Sequence, residues 1–201
     1  MNSMPANLHL ARDRKSLMPP GAVKNIGDLI FWQYAKLIAK SAGIDERAFQ
    51  MSRFTALRDG KIQWSSTIRE WLHEHEKPDE CIYCGVKGNL TTEHILPRSR
   101  GGPDHPDNAV RVCRACNSGK GDRRLYEWMG LGRKDDIPRI AEGKYLKLLY
   151  ELHEGRGTLG IDKKDLTNRL CPSCDLGGRC EEAKTVGKLT VYCLEGCFRG
   201  R

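Results

Sequence analysis

Two pairs of closely spaced cysteines constrain the fold of this 201-residue chain more than any other feature. Cys81 and Cys84 form one Cys-x2-Cys unit, and a second unit follows at Cys113 and Cys116. Each unit can present two thiolates to one ion, and four thiolates complete the tetrahedral shell of a structural zinc site. The spacing therefore predicts a zinc ion that fastens the two ends of the segment between the pairs. Redox-active or simply buried thiols are the alternative.

The chain has nine cysteines in total, and the odd number argues against a framework of disulfide bonds. The remaining five lie near the C-terminal end: Cys171, Cys174, Cys180, Cys193 and Cys197. The spacing of all but Cys180 predicts a second zinc site, bound by Cys171, Cys174, Cys193 and Cys197. Cys180 is either left over or replaces Cys171 or Cys174. An iron–sulfur cluster and free thiols are the alternatives.

Charge and hydropathy narrow the class of function. The net charge of +8 favours a polyanionic partner, because lysine and arginine side chains neutralise phosphates, although many basic proteins bind no nucleic acid. No run of 18 apolar residues exists, which excludes a membrane-spanning segment of that kind. The N-terminal stretch lacks the apolar core of a secretion signal. We therefore expect a cytoplasmic protein with no membrane partner.

Composition and periodicity divide the sequence into five segments. They are a flexible arm 1–24, an N-terminal helical region 25–78, a central core 79–130, a helix 131–156, and a linker with a Cys-rich module 157–201. Apolar residues at helical spacing predict a first helix over 25–43 and a short helix over 65–76. A later helix is predicted from Asp135 or Asp136 to Glu154. The Cys-rich module is too short to hold a core without a metal or a similar staple.

Residues suited to phosphodiester hydrolysis lie between and just after the cysteine pairs of the core. Such hydrolysis needs a base that activates water, a cation that offsets negative charge, and groups that position the substrate. His94 is the candidate base, since imidazole accepts a proton near neutral pH. Glu93 and Asn117 offer the oxygen ligands that Mg²⁺ prefers. Alternating residues over 90–96 predict that His94 lies on a β-strand and projects from it towards the helix after Cys116.

These residues resemble the HNH endonuclease family, which has the ββα-metal fold. Residues 93–102 follow its E/D-H-I-x-P-x-S-x-G-G motif, Asn108 its middle asparagine, and residues 113–120 its C-x2-C-N-x2-K motif. The resemblance spans roughly residues 81–124. It implies an enzyme in which His94 activates water for hydrolysis of a nucleic-acid phosphodiester, with DNA as the expected substrate.

The same resemblance implies the roles of the neighbouring residues. Glu93 and Asn117 would bind a catalytic divalent ion, and Asn108 would brace the His-bearing loop. Asn117 stands where the family often has histidine, and this HNN variant is common in its four-cysteine subgroup. An oxygen ligand at this position favours Mg²⁺ over Zn²⁺ or Ni²⁺.

Basic residues around this motif are expected to contact the nucleic-acid backbone. They are Arg98, Arg100, Arg111, Arg114, Lys120, Arg123 and Arg124. For any one of them, an ordinary solvated surface is the alternative. Nearby His105 lies in a Pro-Asp-His-Pro stretch that is typical of an exposed turn rather than of a metal ligand.

Together the patterns predict an α+β protein: a ββα-metal HNH core with a four-cysteine zinc site, N-terminal helices, and a small zinc-ribbon-like C-terminal module. The expected function is that of an endonuclease with structural zinc and catalytic Mg²⁺. A zinc-dependent nucleic-acid-binding protein without turnover is the main alternative, and a protein–protein adaptor is a third. The sequence does not determine the target specificity or the oligomeric state. A dimer is one arrangement that would suit an enzyme that cuts both strands.

Overall fold

The computed structural model describes residues 18–63 and 79–199. Its helices and strands, in chain order, are α1 Ile26–Ser41, α2 Arg47–Arg58, β1 Leu90–His94, β2 Ala109–Cys113, α3 Arg114–Lys120, α4 Leu125–Met129, α5 Arg139–Gly155, α6 Leu166–Arg169 and α7 Gly177–Glu182. Helices therefore combine with a small antiparallel sheet, and the predicted α+β class is confirmed. The predicted helix over 65–76 lies outside the described residues.

Helix α1 has clear start and stop signals in the sequence. The Asn25 side chain caps it by accepting a hydrogen bond from the Asp28 backbone N–H at 2.8 Å. At the other end Gly43 adopts a φ of +69°, which lets the Ile44 N–H reach the Ala39 carbonyl at 3.0 Å. The first helix is thus found where the apolar spacing predicted it.

The centre of the chain forms a ββα unit. Strands β1 and β2 pair antiparallel, with Leu90 opposite Cys113 and His94 opposite Ala109. Helix α3 starts at the next residue after β2, and the Cys113 side chain caps it by accepting from the Cys116 backbone N–H at 3.4 Å. The sheet therefore delivers the second cysteine pair directly to the start of α3.

The predicted start of the later helix is wrong. Residues 131–136 form a 3-10 turn, and α5 begins only at Arg139. Pro138 explains the shift, because a proline disfavours helical backbone at the residue before it, and Ile137 is extended with a ψ of 131°. Helix α5 then packs on α1, where the rings of Phe31 and Tyr150 lie 5.5 Å apart.

The predicted linker after α5 is ordered and packs against the start of α1. The Gly27 N–H donates to the Leu159 carbonyl at 2.9 Å, and Asn25 forms an isolated β-bridge with Asp162. Ile161 is buried. These contacts bring the C-terminal third of the chain alongside the first helix.

The Cys-rich tail is not a separate module. Its apolar side chains join the same hydrophobic core as α1, α5 and the ββα unit; they include Leu176, Leu189, Val191, Leu194 and Phe198. The tail therefore shares the core of the rest of the chain. Among the described helices, none is long and apolar enough to cross a membrane.

Candidate metal centre and active site

Four thiols converge at one end of the ββα unit. The sulfur atoms of Cys81, Cys84, Cys113 and Cys116 all lie within 4.8 Å of one another, and those of Cys84 and Cys113 are 3.7 Å apart. Zinc–sulfur bonds of about 2.3 Å in a tetrahedron place the sulfurs about 3.8 Å apart. The donor set therefore fits a zinc ion with a filled, structural shell.

Local hydrogen bonds shape the first cysteine pair into a tight turn. The Cys81 N–H donates to the Val86 carbonyl, and the Gly85 N–H donates back to the Cys81 carbonyl, both at 2.8 Å. Burial by itself raises the pKa of the Cys81 thiol, but backbone hydrogen bonds from Cys113, Cys84 and Tyr83 lower it to about 7. The turn thus favours the thiolate form of Cys81, which is the form that a metal needs.

The C-terminal cysteines do not converge in this way. Within residues 18–63 and 79–199, the Cys81 cluster is the one group of three or more His, Cys, Asp or Glu side chains with ligand atoms so close together. The Cys193 thiol donates instead to the Lys188 carbonyl, at 3.6 Å. The geometry therefore does not assemble Cys171, Cys174, Cys193 and Cys197 into the second zinc site that their spacing predicted.

One face of β1 packs against α3 and carries Glu93. The carboxylate oxygen Oε1 of Glu93 lies 2.5 Å from Lys120 Nζ, and the Asn117 amide donates to the Thr91 hydroxyl at 3.2 Å. The second oxygen of Glu93, Oε2, is buried and has no hydrogen-bond partner. Thr91 and Glu93 are two apart on the strand, so they share a face with Asn117 and Lys120 beside them.

His94 is the next residue on β1. Its ring turns to the loop beyond the strand and not to α3, so the predicted direction of this side chain is wrong. Its Nε2 lies 3.1 Å from Asp104 Oδ1, and Asp104 also pairs with Arg98 at 3.2 Å. Burial raises the pKa of Glu93 above its ordinary value, although the neighbouring Lys120 ammonium offsets part of the rise. The side chains of Glu93 and His94 start from opposite faces of β1. Sequence reasoning missed Asp104, which only its place between Gly102 and Asn108 could have suggested.

Asn108 is fully buried, and its side chain forms hydrogen bonds with the loop that follows His94. Its Oδ1 accepts from the Leu96 N–H at 2.8 Å, and its Nδ2 donates to the carbonyls of Leu96 at 2.8 Å and Pro103 at 2.9 Å. Its own carbonyl accepts from the Ile95 N–H at 2.8 Å. These four hydrogen bonds hold the loop against the end of β1.

The seven basic residues predicted to contact nucleic acid fall into three groups. Arg98, Arg111 and Arg114 are exposed. Arg100 and Arg123 are partly buried; Arg100 pairs with Asp175 at 2.9 Å. The other two, Lys120 and Arg124, are buried.

Burial removes Lys120 and Arg124 from any phosphate-binding surface, so the prediction is wrong for both. Lys120 is bound to Glu93. The Arg124 guanidinium lies 2.9 Å from Glu127 and 2.7 Å from Asp175, and it also donates to the carbonyls of Glu195 and Phe198. A side chain with its donors engaged inside the protein in this way cannot reach a polyanion.

A cavity of about 730 Å³ lies away from these residues, between α1 and the start of α2. Trp32, Gln33 and Lys36 line one side of it, and Lys134 and Glu142 line another. Neither Glu93, His94 nor Asn117 borders it, so this large concave space and the candidate chemistry are separate.

A two-stranded antiparallel sheet, a following helix and a four-thiol cluster define a ββα-metal domain. Residues 81–126 match the family model of HNH endonucleases, in agreement with the resemblance that the motifs of this segment predicted. Members of this family are nucleases. No curated protein and no solved structure matches the chain.

Proposed function

We propose that this protein is an endonuclease that hydrolyses phosphodiester bonds, with DNA as its substrate, using His94 as general base and one divalent ion. The observation that carries the proposal is the orphaned carboxylate oxygen Oε2 of Glu93, which lies within the matched HNH segment, beside His94. A buried carboxylate oxygen without a partner is costly, and a bound cation would offset that cost.

Glu93 and Asn117 are the residues that would hold the ion. Glu93 offers Oε2, and Asn117 offers its amide oxygen because its nitrogen is already used to donate to Thr91. Both are hard oxygen donors, which fit Mg²⁺. When bound, the ion would supply positive charge that stabilises the phosphate in the transition state and the leaving 3′ oxygen. The products would carry 3′-hydroxyl and 5′-phosphate ends.

His94 is suited to accept the proton of the attacking water. Its side chain is 27% exposed, so water and substrate can reach it. An ionised carboxylate only accepts hydrogen bonds, so the contact with Asp104 places the ring proton on Nε2 and leaves the lone pair on Nδ1. Asn108 positions the loop that carries Asp104, and exposed Arg98 and Arg114 would contact backbone phosphates.

A nicking assay on supercoiled plasmid DNA tests this proposal. We expect zinc-loaded wild-type protein to nick the plasmid when Mg²⁺ or Mn²⁺ is added and not when divalent ions are omitted. His94→Ala should lower the rate by about 10²–10⁴-fold, the usual contribution of a general base. His105→Ala is the matched control, because it removes an exposed histidine of the same loop, and it should nick like the wild type.

A nucleic-acid-binding protein without turnover is the second candidate. Two contacts favour it: Lys120 already neutralises Glu93, and Asp104 already contacts His94. That candidate predicts salt-dependent DNA binding with no nicking at any divalent-ion concentration. Such a result, or equal nicking by wild type and His94→Ala, would contradict the endonuclease.

A further inference from the structure

The two oxygens of Glu93 have very different surroundings. Oε1 is held by Lys120 and faces the Tyr83 hydroxyl at 3.5 Å, whereas Oε2 has no partner. We propose that Lys120 and Tyr83 are positioning residues that restrict Glu93 to ligation through one oxygen, so that the site selects Mg²⁺ and Mn²⁺ over Ca²⁺. This inference rests on the divalent-ion site of the proposed function.

Lys120 is fixed where it stands. Its side chain is 0% exposed, and its Nζ lies 2.5 Å from Glu93 Oε1 and 3.2 Å from the His94 carbonyl. The second contact anchors the ammonium to the backbone of β1 independently of the carboxylate. Lys120 therefore cannot swing away from Oε1 into solvent without losing both of these contacts, which is costly.

Tyr83 reaches the same oxygen from the zinc turn. It lies between Cys81 and Cys84, and its ring packs edge-on against Trp128 with centroids 5.2 Å apart. The four-thiol cluster thereby holds the phenol in place. A residue that sequence motifs treat as a spacer between two ligands thus becomes a contact of the candidate catalytic carboxylate.

Single-oxygen ligation distinguishes between divalent ions. Ca²⁺ takes six to eight oxygens and often binds both oxygens of one carboxylate, at about 2.3–2.6 Å. Mg²⁺ is octahedral, at about 2.0–2.1 Å, and usually takes one oxygen per carboxylate and several waters. With Oε1 committed to Lys120 and Tyr83, Glu93 can serve the second pattern but not the first.

The test measures Mn²⁺ binding by electron paramagnetic resonance on the full-length, zinc-loaded chain, with Mg²⁺ and Ca²⁺ as competitors. In the wild type we expect Ca²⁺ to compete about tenfold less well than Mg²⁺. Lys120→Met frees Oε1 and removes a positive charge. The affinity for Ca²⁺ should therefore rise more than the affinity for Mg²⁺, and the ratio of the two affinities should approach one. Tyr83→Phe should move the ratio in the same direction by less.

Lys188→Met is the matched control, since Lys188 is exposed and its Nζ donates to the Lys184 carbonyl, within the tail, at 3.2 Å. Damage to the fold would weaken the binding of all three ions together and leave the ratio of the Ca²⁺ and Mg²⁺ affinities unchanged. The zinc content checks that each variant is folded. An unchanged ratio in both Tyr83→Phe and a folded Lys120→Met, equal competition in the wild type, or no Mn²⁺ binding would overturn the inference. Selective Mn²⁺ binding without DNA nicking would instead contradict only the proposed function.

Discussion

Gly102 controls the shape of the loop behind the candidate base. A Cβ atom at this position would lie 2.0 Å from the Leu96 carbonyl oxygen and 2.8 Å from Asn108 Nδ2. The close approach at Gly102 is therefore within the chain, to the hydrogen bonds that Asn108 makes with Leu96.

We therefore predict that Gly102→Ala destabilises the protein by about 3 kcal/mol, because neither backbone nor a buried amide can yield to the methyl group. Urea unfolding measures the change. Gly119→Ala is the control: Gly119 lies in α3, a Cβ added there would have nothing within 4 Å, and the substitution should change stability by no more than about 1 kcal/mol. Equal stabilities of the two variants would show that the loop relaxes freely.

Among the secondary-structure elements, the ββα unit depends most on the thiol cluster. Its sheet has two strands of five residues each, and a two-stranded sheet is marginally stable by itself. The cysteine pairs sit at the two places where this unit could come apart: the turn before β1 and the junction of β2 with α3. A zinc ion bound there would close the unit at both ends.

The expected metal content is one zinc per chain. Cys84→Ser should lose that zinc and unfold the ββα unit, because a structural zinc contributes directly to folding. Cys180→Ser changes a cysteine outside the four-thiol cluster and should keep the zinc. Mass spectrometry of the intact holoprotein measures the zinc content of both variants. Two zinc ions in the wild type, with one lost in Cys193→Ser, would restore the second site that the spacing predicted.

At the scale of the whole molecule, buried polar groups connect the tail to the helices. Glu195 is fully buried and accepts from the backbone N–H groups of Tyr126 at 2.6 Å and Glu127 at 2.8 Å. His153 on α5 is also fully buried; its Nε2 lies 3.0 Å from the Leu194 carbonyl, and its ring packs on Phe198. Burial lowers the pKa of His153 to about 4. The tail therefore docks on a neutral imidazole.

This neutral histidine predicts a pH dependence of stability. The folded pKa of about 4 lies below the ordinary value of 6.5, so the stability from His153 is complete above pH 6.5 and declines as the pH falls through that value towards 4. Between pH 7.5 and pH 5 the loss should be about 2 kcal/mol. Urea unfolding of wild type and His153→Gln across this range measures it.

The comparison between these two proteins removes changes that both share, such as loss of zinc in acid and the titration of Glu142 and Glu195. The free energy of unfolding of the wild type should exceed that of His153→Gln by less and less as the pH falls. A constant difference over the whole range would contradict the neutral, buried state of His153.

Local patterns predicted much of this protein. The cysteine spacing predicted the four-thiol cluster, the motif around Glu93 and His94 predicted the HNH domain, and apolar periodicity predicted α1. Each depends on residues near one another in sequence or on a spacing that one ion imposes. The start of α5 was predicted wrongly because Asp135 and Asp136 resemble caps, although Pro138 decides the boundary.

What the chain alone determined is which side chains could do chemistry and which four cysteines could hold a metal. Only the tertiary structure decided that Lys120 and Arg124 are internal ion-pair partners rather than phosphate contacts, and that the Cys-rich tail shares the common core. The physical reason is burial. A basic residue looks the same in sequence whether it faces water or a carboxylate inside the protein, and that distinction arises only when distant segments pack together.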